Sequence, residues 1–316
     1  MFVTHANVCN SRFFMVSLIV HGGAWDIPDR SAEAHRNGVG EALAQGWDVL
    51  SNGGNSIDAV ERAIRHLEDD ETFDAGRGSH LNAAGHVELD ASIMDGKSFR
   101  CGAVAAVQNI KNPISLARKV MEESEHILLV CNGAERFAVK HGIPLCKVEE
   151  LVIERERTRW QDERDRAGFS TKDAFRKMRT SSDTVGAVAM DAEGNICVGT
   201  STGGTFNKYS GRVGDSPLIG CGSYADNAIG GVSTTGWGEA MIKVVMAKTV
   251  IDLMEVSGGQ PQIAAERGIE FLHKKVDGYG GVIVLNNRGN FGVAYNTPRM
   301  ARAYINADMG DPFVAV

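Results

Sequence analysis

The chain lacks the residue spacings that announce a metal centre. Its six cysteines stand at 9, 101, 131, 146, 197 and 221 with no C-x-x-C pair, and its nine histidines are equally scattered. This excludes a zinc ribbon or a small disulfide scaffold, and reduced, mostly buried thiols are expected. His80 and His86 share a loop-like region, but nothing completes a ligand set around them. No apolar run reaches the roughly 18 residues of a membrane span. The run Phe13-Phe14-Met15-Val16-Ser17-Leu18-Ile19-Val20 imitates a signal sequence, but only Arg12 precedes it closely. His21-Gly22-Gly23-Ala24-Trp25 is a poor cleavage site. A cytoplasmic protein without membrane contact is therefore expected, with residues 1–12 a loose tail. The net charge is −7, so no basic surface points to nucleic acid. Gly22-Gly23, Gly53-Gly54 and Gly203-Gly204 belong to no G-x-G-x-x-G or Walker motif, which argues against nucleotide binding.

What the chain has is glycine, 37 in 316 residues, and a hydrophobic share of 43%. The glycines fall in short clusters, implying tight turns and close backbone approaches. Ser17–Val20 reads as a buried strand entering a glycine turn. Ser31 is placed to cap a helix to about Ser51, and Ser56 a second over Ile57–Leu67, with Ala59, Val60, Ala63, Ile64 and Leu67 as its stripe. Strands are expected over Val87–Met94 and Gly102–Val107. Pro113 starts a helix to about Glu123, and another covers Ala134–His141. Val152–Ser182 alternates charge with few apolar anchors and reads as a solvated helix or a mobile linker. Beyond it come two helices, Glu239–Glu255 and Pro261–Lys275, and a closing hairpin, Gly281–Leu285 with Phe291–Tyr295. Such blocks of strands and helices suggest layered sheets with outer helices.

The charge-rich stretch ends abruptly at Asp183-Thr184, where a small, apolar run begins. Thr184–Asp191 and Asn195–Gly204 read as the arms of a hairpin turning at Ala192-Glu193-Gly194. If Asp191 faces Asn195, Thr184 faces Thr202, and a one-residue slip would separate the two hydroxyls. A strand threonine is ordinary, but a chain cut before Thr184 would join a hydroxyl to a free α-amine able to activate it. Thr234-Thr235-Gly236 offers a hydroxyl and a backbone N–H to a developing oxyanion, or simply a helix cap at Thr235. Arg212 and Asp215 read either as a surface ion pair or as anchors for the α-carboxylate and α-ammonium of an amino acid.

Seven segments together resemble the plant-type L-asparaginase/isoaspartyl peptidase family of N-terminal-nucleophile hydrolases. They are His21-Gly22-Gly23-Ala24, Phe73-x-Ala75-Gly76, Asp90-Ala91-Ser92-Ile93-Met94-Asp95-Gly96, Thr184-Val185-Gly186-Ala187-Val188-Ala189, Thr200-Ser201-Thr202-Gly203-Gly204, Gly211-Arg212-Val213-Gly214-Asp215-Ser216-Pro217 and Thr235-Gly236-x-Gly238-Glu239. The resemblance spans about Leu18 to Tyr304. It implies an α+β, four-layer αββα sandwich: one domain that cleaves itself at Asp183–Thr184 into subunits 1–183 and 184–316 and pairs as (αβ)₂. It implies Thr184 as nucleophile, Thr202 supporting it, Thr235 and Gly236 as oxyanion hole, and Arg212, Asp215 and Gly238 as substrate contacts. It also implies a sodium ion held by backbone carbonyls of the loop around Leu67, Glu68, Asp70, Phe73, Ala75 and Arg77, which suit a hard cation, and no organic cofactor. The implied reaction hydrolyses L-asparagine or β-aspartyl dipeptides through a Thr184 acyl-enzyme. Asp74 stands where many members carry Asn, which leaves substrate preference open, and Asp183 where several carry Gly. The rivals are a related hydrolase of the sugar–asparagine bond and a binding protein of the same fold that never matures.

Overall fold

The computed structural model describes residues 14–163 and 183–316. The expected tail at 1–12 and the later part of the charged stretch lie outside the described residues. The first half contains β1 (Ser17–Trp25), α1 (Asp29–Ser51), α2 (Ser56–Asp69), β2 (Leu89–Asp95), β3 (Cys101–Val107) and α3 (Pro113–Glu123). It continues with β4 (Leu128–Val130), α4 (Cys131–Lys140), α5 (Val148–Leu151) and α6 (Glu154–Glu163). After Thr184 come β5 (Val185–Met190), β6 (Ile196–Thr202), β7 (Ser223–Asp226) and β8 (Gly230–Gly236). Then follow α7 (Gly238–Val244), α8 (Met246–Val256), α9 (Pro261–Val276), β9 (Gly280–Asn286), β10 (Phe291–Tyr295), β11 (Arg299–Asn306) and β12 (Phe313–Ala315).

Eight strands form one sheet in the order β12-β11-β1-β5-β6-β2-β3-β4, and four form another in the order β10-β9-β8-β7. Side-chain alternation along the strands explains the layering. In β1, Leu18 and Val20 pack into the core under α1–α4, whereas Ile19 joins the core between the sheets. In β5, Ala187 and Ala189 face the helices and Val188 and Met190 face the other sheet. In β9, Ile283 and Leu285 meet the large sheet while Val282 and Val284 pack with Met241, Val250 and Leu272 of α7–α9. Strands apolar on both faces must be covered on both faces, and the result is the expected αββα sandwich.

Several boundaries depart from expectation. Strand β1 does not turn at Gly22-Gly23 but runs on to Trp25, its pairing with β11 irregular between His21 and Ala24. Helix α1 starts before Ser31, after extended Pro28. Asn55, not Ser56, caps α2 by accepting from the Asp58 N–H. The helix expected over Glu239–Glu255 is two, broken at Val245 in the left-handed region (φ 48°). Strands β11 and β12 follow the hairpin expected to close the chain. Of the described cysteines, all unpaired, only Cys197 and Cys221 are buried. Most consequential, the described part of the charged stretch is a helix that is exposed along most of its length, as the solvated reading expects, but anchored along one face. Glu156 of α6 is buried against His80 at 2.7 Å, and Arg159 lies 4.3 Å over the Phe206 ring.

Candidate active site

The hairpin register is the expected one. Val185 pairs with Ser201 and Gly186 with Thr200, so the next step brings Thr184 opposite Thr202. The Thr184 hydroxyl donates to Thr202 Oγ1 at 3.0 Å, and that oxygen also accepts the Gly204 N–H at 2.9 Å. Thr202 thereby holds one orientation and presents a fixed acceptor to Thr184. Both threonines are buried.

The second sheet lays β8 across β5 and β6. A Cβ on Gly231 would touch Val188 and Ile196, and one on Gly186 would touch Ser233. Ser233 bonds Thr200 at 3.0 Å. Ser233 of β8 thus lies over Gly186 of β5 and Thr200 of β6, Thr235 stands two residues further along β8, and its neighbour Gly236 lines a recess with Thr184 and Thr202. Thr235 belongs to β8 and does not cap α7, whose N-cap is Trp237. Its hydroxyl is buried without a hydrogen-bond partner among the described residues. Behind it, His21 bonds Ser233 at 2.8 Å. Burial pushes the His21 pKa down to about 3, against the pull of the Thr184 backbone, so this imidazole is neutral.

Arg212 and Asp215 are not a surface ion pair. The Arg212 guanidinium, 15% exposed, forms a two-point pair with Glu239 of α7, both bonds 2.8 Å. Asp215 is buried and accepts from the Thr234 hydroxyl at 2.8 Å. Burial pushes its pKa up to about 6, opposed by the Thr234 bond and by Arg212. Gly238 lies between them: a Cβ there would sit 2.8 Å from Asp215 Oδ1 and 2.9 Å from Arg212 Nη2, so a side chain would fill the gap between cation and carboxylate. Nearby, the Glu88 carboxylate accepts the Gly211 N–H and its carbonyl accepts from buried Lys208 at 2.8 Å, fixing the loop that carries Arg212. Thr184, Thr202, Arg212, Asp215, Gly236 and Gly238 all line one recess of about 10 Å³, room for about one water.

The expected cation loop also closes on itself. Arg77 N–H donates to the Glu68 carbonyl at 2.8 Å and Phe73 N–H to the Asp70 carbonyl at 3.2 Å. Leu67, Glu68, Phe73 and Ala75 are buried, and the Arg77 guanidinium points away to Glu71. The C-terminal end of α2 contributes carbonyls and the negative end of its dipole. Among the described residues no cluster of His, Cys, Asp or Glu could hold a metal. A set of neutral carbonyls fits a monovalent hard cation and not a transition metal.

Asp74 follows Phe73 and is buried. Its carbonyl accepts from Gly203 at 2.7 Å, its Oδ1 from the His80 N–H at 2.8 Å, and its Oδ2 lies 3.8 Å from the His80 ring. Burial pushes its pKa up to about 7, opposed by His80. The sequence alone assigns no role in the site to Glu239, Trp25 or His35. Trp25 and His35 both bond Asp183 Oδ1. Burial lowers the His35 pKa, but the Asp183 carboxylate more than reverses this.

The αββα sandwich, with Thr184 at the head of β5, is the architecture of the N-terminal-nucleophile class of hydrolases. Within that class the chain belongs to the asparaginase family, whose model matches residues 14–314. It is 46% identical over 291 residues to the isoaspartyl peptidase/L-asparaginase of Xenopus laevis, covering 92% of each chain. It is 44% identical over 284 residues to the protein of the same name from Homo sapiens, covering 90% of this chain and 91% of that one. The Danio rerio protein of that name is 43% identical over 286 residues, with 90% and 91% covered.

Proposed function

We propose that this chain hydrolyses L-asparagine and β-aspartyl dipeptides after cutting itself at Asp183–Thr184. The observation that carries the reading is the Thr184–Thr202 hydroxyl pair in a recess shared with Arg212, Asp215 and Gly238. The names of the relatives support the substrate class. In the continuous chain the Thr184 nitrogen is an amide, without a lone pair to act as base, and the recess is too small for asparagine. Cleavage supplies the amine and removes a covalent wall. The Thr184 oxygen then attacks the β-carbonyl while the amine takes its proton, and Thr235 and Gly236 face the developing oxyanion. The leaving group is ammonia or the amine of a peptide, and water hydrolyses the resulting ester. Arg212 and Asp215 hold the α-carboxylate and α-ammonium.

Carbonyls of Leu67, Glu68, Asp70, Phe73, Ala75 and Arg77 are proposed to hold sodium, which when bound would brace the loop that carries Asp74. The family resemblance supports an (αβ)₂ assembly, which sedimentation of the mature protein would test. The central experiment is intact mass with kinetics. Freshly made protein should resolve into pieces of 183 and 133 residues, and Thr184→Ala should stay whole and inactive. Arg212→Ala should still cleave but lose about 10- to 150-fold in kcat/KM on asparagine, the value of roughly 1.5–3 kcal/mol for one bond between charged groups. Cleavage of Thr184→Ala at the same bond would refute the assignment.

A further inference from the structure

The wall behind the scissile bond is built differently from the recess in front of it. Asp183 is buried, and two donors from far earlier in the chain hold its carboxylate. The Trp25 indole N–H donates to Oδ1, and His35 Nε2 lies 3.3 Å from that oxygen. His35 sits on α1, one turn after Ser31, and its Nδ1 lies 2.8 Å from the Ser31 carbonyl. A carbonyl only accepts, so Nδ1 carries a hydrogen, and the nitrogen facing the carboxylate needs a second one to bond it. His35 therefore meets Asp183 as an imidazolium, a charge-assisted bond. The rings of Trp25 and Phe73 pack edge-on against it at 6.0 and 5.4 Å, which fixes its orientation. Neither Trp25 nor His35 lines the recess of Arg212 and Asp215. Both line a separate cavity of about 570 Å³ to which Asp183 also contributes.

We infer that His35 is a positioning residue for self-cleavage and not for substrate hydrolysis, an inference that rests on the self-cleavage reading above. By clamping the Asp183 side chain, His35 sets the rotation of that residue and so the presentation of its carbonyl to Thr184. In the cleavage step the bond from Thr184 Oγ1 to the Asp183 carbonyl carbon forms. The carbon–nitrogen bond breaks, and the hydroxyl proton ends on the departing amine. Water then splits the ester into the Asp183 carboxylic acid and the free Thr184 hydroxyl. From that point Asp183 is a chain end, no longer bonded to Thr184, and the clamp has nothing left to present. The proposed substrate anchors Arg212 and Asp215 line a different recess, to which His35 does not contribute.

The test is a cleavage time course by intact mass, paired with kcat/KM per mole of cleaved protein. His35→Leu keeps bulk and removes the donor. It should slow cleavage about tenfold or more, the rate equivalent of one lost bond to a charged group. Its cleaved fraction should hydrolyse asparagine within about twofold of wild type, inside the scatter of a group that makes no transition-state contact. His35→Gln, which restores an amide donor, should recover part of the cleavage rate. Should the Leu variant fail to fold, Asp183→Ala removes the same bond from the other side and must also cleave slowly. Wild-type cleavage by His35→Leu or Asp183→Ala overturns the inference. So does a loss of kcat/KM in the cleaved Leu variant that matches its loss of cleavage rate. Wild-type protein that remains a single chain overturns instead the reading on which the inference stands.

Discussion

The carboxyl group of Asp215 is buried at the wall of the recess, and burial lifts its pKa to about 6. Only the ionised form can pair with an α-ammonium group. As pH falls through about 6 the carboxylate takes up a proton, so kcat/KM on asparagine should fall with it, the group being only about one part in eleven ionised by roughly pH 5. A pH–rate profile of the cleaved enzyme measures this, and a flat profile between pH 5 and 7 would remove Asp215 from ammonium recognition. Glu239 acts on the other anchor. It occupies the Nε and Nη2 edge of Arg212 and holds the guanidinium in place, which would leave the remaining edge for the carboxylate proposed to bind there. Asp74 is the acid at the position where the family resemblance leads to the expectation of an amide. Its burial beside His80 and Gly203 rules out a solvent-facing loop position, and its carboxyl touches the strand end that presents Thr202.

At the level of elements, the sequence displayed what depends on near neighbours. The Thr184–Thr202 pairing follows from a three-residue turn and a two-residue period, both local, and the stripe of α2 follows from helical spacing alone. Partners distant in sequence were not legible. His35 and Trp25 reach Asp183 across 148 and 158 residues, and only the sandwich brings them together. The break between α7 and α8 escaped notice because valine, branched at Cβ, seldom adopts the left-handed conformation it has at 245. Helix α6 looked solvated because its charges alternate. One of its acids is nevertheless interior, where His80 and Arg155 hold the Glu156 pKa down to about 2 against the upward push of burial. The cation loop is a third case, since backbone carbonyls leave no mark in the choice of side chains. If sodium braces it, replacing sodium by a bulky organic cation at equal ionic strength should lower the melting temperature of the uncleaved Thr184→Ala chain. For a ligand at 100 times its Kd, the loss corresponds to about 2.7 kcal/mol. An unchanged melt would exclude a stabilising ion there.

Over the whole molecule, the cut proposed at Asp183–Thr184 would fall in the middle of an interleaved sheet. In the order β12-β11-β1-β5-β6-β2-β3-β4, the strands β1 and β2 to β4 precede the cut and the rest follow it. Three seams therefore join the two pieces: β11 to β1, β1 to β5, and β6 to β2. The pieces should stay together through gel filtration and part only in denaturant. Separation under native conditions would contradict this sheet order. The same interleaving changes the kind of reaction that folding is. Before the cut, one chain closes its sheet in a first-order process whose rate ignores concentration. After it, β1 must find its place between two strands of another chain, so recovery from denaturant becomes second order and slows on dilution. Until that event the long edges of β5 and β11 stand open to any passing strand. The cleaved enzyme would then persist through slow unfolding more than through a ready return, and its history, folded first and cut second, cannot be run backwards by removing the denaturant.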